Sequence, residues 1–199
     1  MNLPQGEPGQ PYPYKEALRS FLNPLVRLLS ALKVRPNALT ATGWVFSLVA
    51  ATFFAAGHVR TAGAVMLFAG LFDALDGAVA RQSNRMSRFG AFLDSTLDRL
   101  SEAAVFVGII FYLAASGSPY ATLLAGAAMT FSLGTSYTRA RAEGLGIDCE
   151  VGILERAGRV VILSFASIAG YLIVGLALVA VGALITTVQR ILHVRRATR

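Results

Sequence analysis

Long apolar stretches separated by short polar breaks occupy most of the chain from residue 37 onward. A helix that crosses a bilayer needs about 20 consecutive, mainly apolar residues. Six stretches approach that length, at residues 37–57, 61–81, 87–114, 120–141, 157–174 and 175–190. Because the bilayer core offers no water to the backbone, each stretch must satisfy its own hydrogen bonds as a helix. The pattern therefore predicts an all-α integral membrane protein with six transmembrane helices.

The residues before position 35 follow a different pattern. Residues 1–13 are polar and rich in Pro and Gly, without the charged-then-apolar order of a signal peptide, and predict a flexible tail. Between residues 14 and 34, apolar side chains recur at i, i+3 and i+4, while Arg19, Arg27 and Lys33 take other positions. This pattern favours a juxtamembrane amphipathic helix in the membrane interface. A soluble amphipathic helix packed on the core has the same pattern and stays an alternative.

Composition and charge support a membrane location and give an orientation. The chain is 55% hydrophobic and 15% charged, which is more apolar than an ordinary soluble domain. In the six-span arrangement every Lys and Arg except Arg60 lies on the side of the two termini. The positive-inside rule then predicts a multi-pass protein of the cell (inner) membrane with both termini in the cytoplasm. The net charge of +7 indicates anionic lipid headgroups as partners, and no basic, aromatic-rich surface outside the spans suggests nucleic acid.

Four aspartates interrupt the second and third apolar stretches. Asp73 and Asp76 are spaced i, i+3, and Asp94 and Asp98 are spaced i, i+4, so each pair shares one face of its helix. At 1.5 Å per residue, Asp73 lies about 12 Å from the cytoplasmic end of its span, and Asp94 and Asp98 lie about 10 and 16 Å along the next one. The two pairs are therefore expected to reach a similar depth on neighbouring helices.

Buried carboxylates at this depth need compensating positive charge. A lone carboxylate in a span costs at least a few kcal/mol, and four together repel one another. Mg²⁺ prefers carboxylate oxygens and shares its coordination with substrate phosphates, and two such ions would balance four charges. Gly77 and Gly90, each one turn from an acid, leave room for a ligand or a close helix. The alternatives are structural ion pairs with Arg81, Arg99 and other basic residues, and an ion-coupled transporter.

The spacing of these residues resembles a known family signature. The chain carries Asp73-x2-Asp76-Gly77-x2-Ala80-Arg81-x8-Gly90-x3-Asp94-x3-Asp98. This pattern resembles, at every fixed position, that of the CDP-alcohol phosphotransferase family. The resemblance implies six transmembrane helices, a homodimer and a polar cavity facing the cytosol, with residues 35–199 as the catalytic domain.

The resemblance also implies roles for individual residues. Asp73, Asp76 and Asp94 would hold two Mg²⁺ ions, or Mn²⁺, and Asp98 would lie near one ion and act as the general base. The CDP part of the donor lipid would contact Gly77, Arg81 and Ser87, together with the run Asn37, Ala38, Leu39 and Thr40 that opens the first span. On physical grounds too, Asn37 is expected to cap this helix start, and a helix N-terminus favours phosphate.

Segments later in the chain indicate the acceptor alcohol. Residues 136–143, 152–159 and 188–190 resemble the actinobacterial phosphatidylinositol phosphate synthases, although those relatives have Lys at position 139 and Pro-Glu at 157–158. The resemblance implies CDP-diacylglycerol as donor and inositol 1-phosphate as acceptor, with CMP released. The phosphate of inositol 1-phosphate would bind Arg139, Arg156, Arg159 and Arg190. The positive charge of these residues also fits ordinary positive-inside topology. Glycerol 3-phosphate as acceptor and an archaeal CDP-diether as donor stay open. So does the role of Glu102, which could tune Asp98 or pair with Arg99.

Overall fold

The computed structural model describes residues 23–29, 31–32, 34–82 and 87–199, and the regular structure within them is helical. A short helix, α1, covers residues 23–29. The six helices that follow among the described residues are α2 (Pro36–Ala55), α3 (Val59–Gln82), α4 (Arg88–Ala115), α5 (Pro119–Glu143), α6 (Arg156–Ala169) and α7 (Leu172–Ala197). The predicted tail at 1–13 and the first part of the predicted amphipathic helix lie outside the described residues. The all-α architecture is confirmed.

Local sequence explains where several helices begin and end. Proline occupies the start of α2 and of α5, where its missing N–H leaves no donor unpaired. The expected cap at Asn37 was wrong, because α2 already begins at Pro36 and Asn37 lies inside its first turn. Ser87 caps α4 by accepting a hydrogen bond from the backbone N–H of Gly90 at 2.9 Å. Gly170 adopts φ 84°, a left-handed conformation that ends α6 at little cost.

The break between the last two apolar stretches was expected between Gly170 and Gly175, and the helices there end a few residues away from the predicted bounds. We expected segments at 157–174 and 175–190, whereas α6 ends at Ala169 and α7 runs from Leu172 to Ala197. Residues 170–175 are nearly all apolar, so hydropathy alone does not locate the break. The left-handed backbone at Gly170 decides it.

Three of the helices in the described part of the chain, α2, α3 and α7, are long and apolar enough to cross a membrane. Both α4 and α5 have the length, at 28 and 25 residues, but lack a long stretch that is both strongly apolar and nearly free of charge. Helix α6 has only 14 residues, which corresponds to about 21 Å, less than the roughly 30 Å of a hydrocarbon core. A membrane protein is thus supported, and the number of six spans stays a prediction.

Helix packing brings the acidic faces of α3 and α4 together. Helix α2 packs against both α3 and α4, α6 packs against α3, and α7 packs against α5 and α6. The main apolar core includes the fully buried Phe54, Phe106, Ile109 and Leu176. A smaller apolar cluster joins Val26 of α1 to Leu39, Leu75 and Val79. Because α2 packs against both α3 and α4, and α6 packs against α3, side chains of α2 and α6 contact the aspartates.

Candidate functional site

The four aspartates form one acidic cluster between α3 and α4. Each of Asp73, Asp76, Asp94 and Asp98 is close enough to the others to repel them electrostatically. Asp76 is the most enclosed, at 5% exposure, whereas the side chains of Asp73 and Asp98 are about one-fifth exposed. The structure brings the two pairs together, because one side chain of α6 contacts both Asp73 of α3 and Asp98 of α4, and their depth in a membrane stays a prediction.

That side chain is Arg156, the first residue of α6. Its Nη1 donates to Asp73 Oδ2 at 2.8 Å and lies 2.9 Å from Asp98 Oδ1. The structural alternative was pairing with Arg81, Arg99 or other basic residues. Neither Arg81 nor Arg99 makes an ion pair in the described part of the chain, whereas Arg156 does. Arg99 donates to the carbonyl of Ser95 instead.

Helix α2 completes the acidic cluster with small and polar residues. The hydroxyl of Thr40 donates to Asp76 Oδ2 at 2.6 Å. A Cβ at position 43 would lie 3.0 Å from Asp73 Oδ1, so Gly43 leaves the space that this carboxylate fills. Sequence reasoning missed Gly43. The available signal was the small, polar spacing of Thr40, Gly43 and Ser47, all buried, on one face of an otherwise apolar span.

The acidic cluster has the chemistry of a divalent metal site. Four carboxylates on two helices offer the hard oxygen donors that Mg²⁺ and Mn²⁺ prefer. Within the described residues, no three His, Cys, Asp or Glu side chains already converge on one point. The reason is visible in their contacts, since Asp73 and Asp98 face Arg156 and Asp76 faces Thr40. The four carboxylates therefore fit a divalent metal, provided that Arg156 gives up at least one of its contacts with Asp73 and Asp98.

One cavity, of about 270 Å³, lies on the α2 side of the acids and is called the donor-side cavity here. It is lined by Pro36, Asn37, Thr40, Asp76, Gly77, Ala80, Arg81, Ser87, Gly90, Ala91 and Asp94. Five of the seven residues predicted to bind the CDP group are in this lining. The other two differ, because Ala38 is exposed on α2 and Leu39 is buried in the apolar cluster with Val26.

The two glycines of the motif accommodate polar side chains of the donor-side cavity. The guanidinium of Arg81 folds towards Gly77, where a Cβ would lie 3.4 Å from its Nη1. At Gly90 a Cβ would meet Ser87 Oγ at 3.0 Å and Asn37 Oδ1 at 3.2 Å. Any larger side chain at position 90 would therefore crowd two residues predicted to contact the donor.

A second cavity, of about 390 Å³, lies on the α5–α7 side and is called the acceptor-side cavity. It is lined by Asp94, Ser95, Asp98, Arg99, Ser136, Arg139, Ala140, Glu143, Glu155, Arg156, Arg159 and Arg190. All four arginines predicted to bind the acceptor are present, although they come from three helices. Asp94 lines both cavities, so the acids stand at the boundary between them.

The four arginines are not equivalent. Arg139 is 41% exposed and pairs with Glu143 at 2.8 Å. Arg190 is 3% exposed and donates to the carbonyls of Val151 at 2.9 Å and Thr135 at 2.6 Å. Backbone contacts thus occupy two of its nitrogens, and Arg139 is freer to meet a ligand.

Arg159 is fixed by Glu102, which settles the partner of that acid. Arg159 Nε donates to Glu102 Oε1 at 2.8 Å, and Nη2 donates to Oε2 at 3.1 Å. Both side chains are buried, with 3% and 6% exposure. Weaker contacts reach Ser136 and the carbonyl of Leu154, both at 3.4 Å. Glu102 therefore pairs across helices with Arg159 and not with Arg99.

Comparison of the sequence with known families and proteins gives a consistent match. The sequence model described as CDP-alcohol phosphatidyltransferase matches residues 33–192. An archaetidylinositol phosphate synthase of Methanothermobacter thermautotrophicus is 39% identical over 188 residues, covering 91% of this chain and 92% of that protein. A phosphatidylinositol phosphate synthase of Cutibacterium acnes is 36% identical over 200 residues, covering 92% and 97%.

Solved structures give the same match in three dimensions. The fold resembles a crystal structure of Mycobacterium tuberculosis phosphatidylinositol phosphate synthase with CDP-DAG bound, with a TM-score of 0.78 and 34% identity. That alignment covers 86% of this chain and 92% of the other. The same enzyme in complex with manganese and citrate aligns with a TM-score of 0.79 and 33% identity, covering 86% and 88%.

Proposed function

Because this chain belongs to the CDP-alcohol phosphatidyltransferase family, we propose that it transfers the phosphatidyl group of CDP-diacylglycerol to a hydroxyl of inositol 1-phosphate. The products are phosphatidylinositol phosphate and CMP. The names of its relatives support this acceptor, and the CDP-DAG complex of a similar structure supports this donor. The observation that carries the proposal is the pair of cavities that meet at Asp94, one suited to a nucleotide diphosphate and the other rich in arginine.

The donor-side cavity suits the CDP group. The N-terminus of α2 begins at Pro36 beside this cavity, and unpaired N–H groups at a helix start attract phosphate. Asn37 and Ser87 offer neutral hydrogen-bonding groups, and Arg81 offers a fixed positive charge. The same cavity reaches Asp76 and Asp94, so a diphosphate bound there would lie against the metal-binding acids.

The acceptor-side cavity suits a phosphorylated alcohol. A phosphate dianion is recognised by several guanidinium groups, and five of them line this cavity, the four predicted arginines and Arg99. Free inositol carries no phosphate and would offer those guanidinium groups no anion to bind. Glycerol 3-phosphate presents the same phosphate on a smaller polyol, which makes it the competing acceptor.

The reaction needs positioning, charge and one base. The acceptor oxygen attacks the phosphorus that carries the lipid, a new P–O bond forms, and the bond from that phosphorus to the bridging oxygen of CMP breaks. Asp98, in the acceptor-side cavity beside Arg156, accepts the proton of the acceptor hydroxyl. Two divalent ions held by Asp73, Asp76, Asp94 and Asp98 would neutralise the charge on the diphosphate. Glu102 and Ser136 fix Arg159 at the edge of the same cavity.

The membrane arrangement is part of the proposal. The six predicted spans correspond to α2–α7 in the inner membrane, of which α6 is too short to cross the full hydrocarbon core. Both termini and both cavities face the cytoplasm, because the basic residues gather on that side. Residues 23–29 lie in the interface, where the exposed side chains of Leu25 and Leu28 can enter lipid. The active form is a homodimer.

The test is release of CMP by the purified protein in lipid nanodiscs. CDP-diacylglycerol and Mg²⁺ are supplied with inositol 1-phosphate, free inositol or glycerol 3-phosphate, and a CDP-linked diether lipid replaces the donor in a parallel series. We expect release with inositol 1-phosphate and none with the Asp98→Asn variant. Faster turnover of glycerol 3-phosphate would keep the family chemistry and reject the inositol acceptor. No release with any acceptor would reject the proposed function.

A further inference from the structure

Arg156 is held incompletely where it stands. It contacts Asp73 and Asp98 through a single nitrogen, Nη1. Its Nε is buried and has no hydrogen-bond partner. A buried donor without a partner is unfavourable, and a guanidinium is best satisfied when two of its nitrogens face one acid or phosphate. An anion that also accepts a hydrogen bond from Nε would therefore pair with Arg156 more favourably than the two aspartates do.

Arg159, one turn further along α6, shows the opposite arrangement. Two of its nitrogens hold the two oxygens of Glu102 in a buried pair. Since Glu102 keeps Arg159 in place, the two arginines have different roles on the same helix face. Arg156 is the one that can move, and it already lines the acceptor-side cavity.

We propose that Arg156 is an exchangeable counter-ion, which leaves Asp73 and Asp98 for the phosphate of the acceptor when a divalent cation takes those carboxylates. This inference rests on the proposed function, which supplies the metal and the phosphorylated acceptor. A dication and a guanidinium at the same two carboxylates repel each other, so the metal favours the departure of Arg156. A phosphate in the acceptor-side cavity then pairs with a guanidinium that would otherwise be buried alone, and its Nε gains a partner.

The exchange couples the two ligands thermodynamically. Without acceptor, Arg156 competes with the metal and weakens its binding. With acceptor present, Arg156 has another anion and the competition is relieved, so the acceptor tightens metal binding. By linkage the metal tightens acceptor binding by the same factor. Couplings of this kind are typically about 5- to 150-fold, and we expect roughly tenfold here.

The experiment measures metal binding directly, without turnover. Mn²⁺ is titrated into the protein in nanodiscs, with no CDP-lipid present, and free Mn²⁺ is followed by electron paramagnetic resonance. Each titration is repeated with saturating inositol 1-phosphate and with free inositol, after correction for Mn²⁺ bound by the ligand alone. In the wild type, inositol 1-phosphate should lower the Mn²⁺ Kd about tenfold, and free inositol should leave it unchanged.

Two Arg156 variants and a matched control separate exchange from simple charge. Arg156→Gln should bind Mn²⁺ more tightly than wild type without acceptor, and inositol 1-phosphate should improve that binding less than about threefold. Arg156→Lys keeps the charge and should keep the weaker Mn²⁺ binding without acceptor. Arg139→Gln removes another cation of the same cavity, but Arg139 pairs with Glu143 and not with the aspartates. It should need more acceptor for saturation and then show the full tenfold effect.

Several results would overturn the exchange. They are a full enhancement in Arg156→Gln, an unchanged or weaker Mn²⁺ affinity of that variant without acceptor, or an enhancement lost equally in Arg139→Gln. If wild type releases CMP from inositol 1-phosphate and any of these is seen, the exchange is wrong and the proposed function stands. If no acceptor gives CMP, the proposed function itself is wrong.

Discussion

A single methyl group added at position 43 should disturb the acidic cluster without changing any of its ligands. Gly43 is buried on α2, where a Cβ would lie 3.0 Å from Asp73 Oδ1, 3.1 Å from Phe72 Cβ and 3.4 Å from the carbonyl of Ala69. Ordinary carbon contacts begin near 3.5 Å. In Gly43→Ala, the Asp73 carboxylate or helix α3 must therefore move by a few tenths of an ångström.

The expected loss of turnover follows from how far metal ligands and catalytic groups can be displaced before activity falls. Metal–oxygen distances are acceptable within about 0.2 Å, and catalytic groups within about 0.5 Å. Because a misplacement of about 1 Å can cost a hundredfold in rate, a shift of a few tenths should cost roughly tenfold in turnover. The Mg²⁺ concentration for half-maximal activity should rise by a similar factor, since Asp73 is one of the proposed ligands.

The assay is CMP release from CDP-diacylglycerol and inositol 1-phosphate over a range of Mg²⁺ concentrations. Gly126→Ala is the matched control, because a Cβ at that helical glycine meets nothing within 4 Å. That control should keep wild-type turnover and gain up to about 1 kcal/mol of helix stability. Wild-type turnover and Mg²⁺ dependence in Gly43→Ala would refute the argument that Gly43 makes room for Asp73. A loss in both variants would point to a general effect of alanine in the membrane helices.

Three further predictions concern the base, the acceptor and the buried ion pair. Asp98→Asn should lower turnover by a factor of about 10² to 10⁴ while CDP-lipid binding persists. The CMP assay and equilibrium binding of a labelled CDP-lipid measure the two quantities, and near-wild-type turnover would remove Asp98 from the role of base. Arg139→Ala should raise KM for inositol 1-phosphate roughly ten- to a hundredfold, because a charged hydrogen bond contributes about 1.5–3 kcal/mol. The effect on KM for the CDP-lipid should be much smaller. Equal KM values for inositol 1-phosphate in wild type and variant would mean that Arg139 only contributes to membrane orientation. Glu102→Ala should lower the free energy of unfolding by about 3–5 kcal/mol because it leaves the charge of Arg159 buried without its carboxylate. The double variant Glu102→Leu with Arg159→Met should recover most of the loss. Thermal unfolding in nanodiscs measures both variants, and an unchanged midpoint in Glu102→Ala would contradict the importance of the buried pair.

Sequence alone determined the features that depend on neighbours along one helix. The spacing of the aspartates fixed which of them share a face, because a helix turns once every 3.6 residues. The cap at Ser87 and the start at Pro36 follow from local backbone chemistry in the same way. The resemblance of the motif then identified the family, which the match over residues 33–192 confirmed.

Tertiary structure decided which cation meets which acid. Arg156 is 83 residues from Asp73, and Arg159 is 57 residues from Glu102, so their pairing depends on how α6 is rotated and placed against α3 and α4. Sequence placed all four arginines in one group, whereas packing buries Arg159 and Arg190 in fixed contacts and leaves Arg139 only partly buried. The role of Gly43, and which of Gly170 and Gly175 ends α6, could not be predicted for a related reason. A glycine is read from sequence only as an absence of side chain, and what fills that space, or whether the backbone turns there, is set by the helices around it.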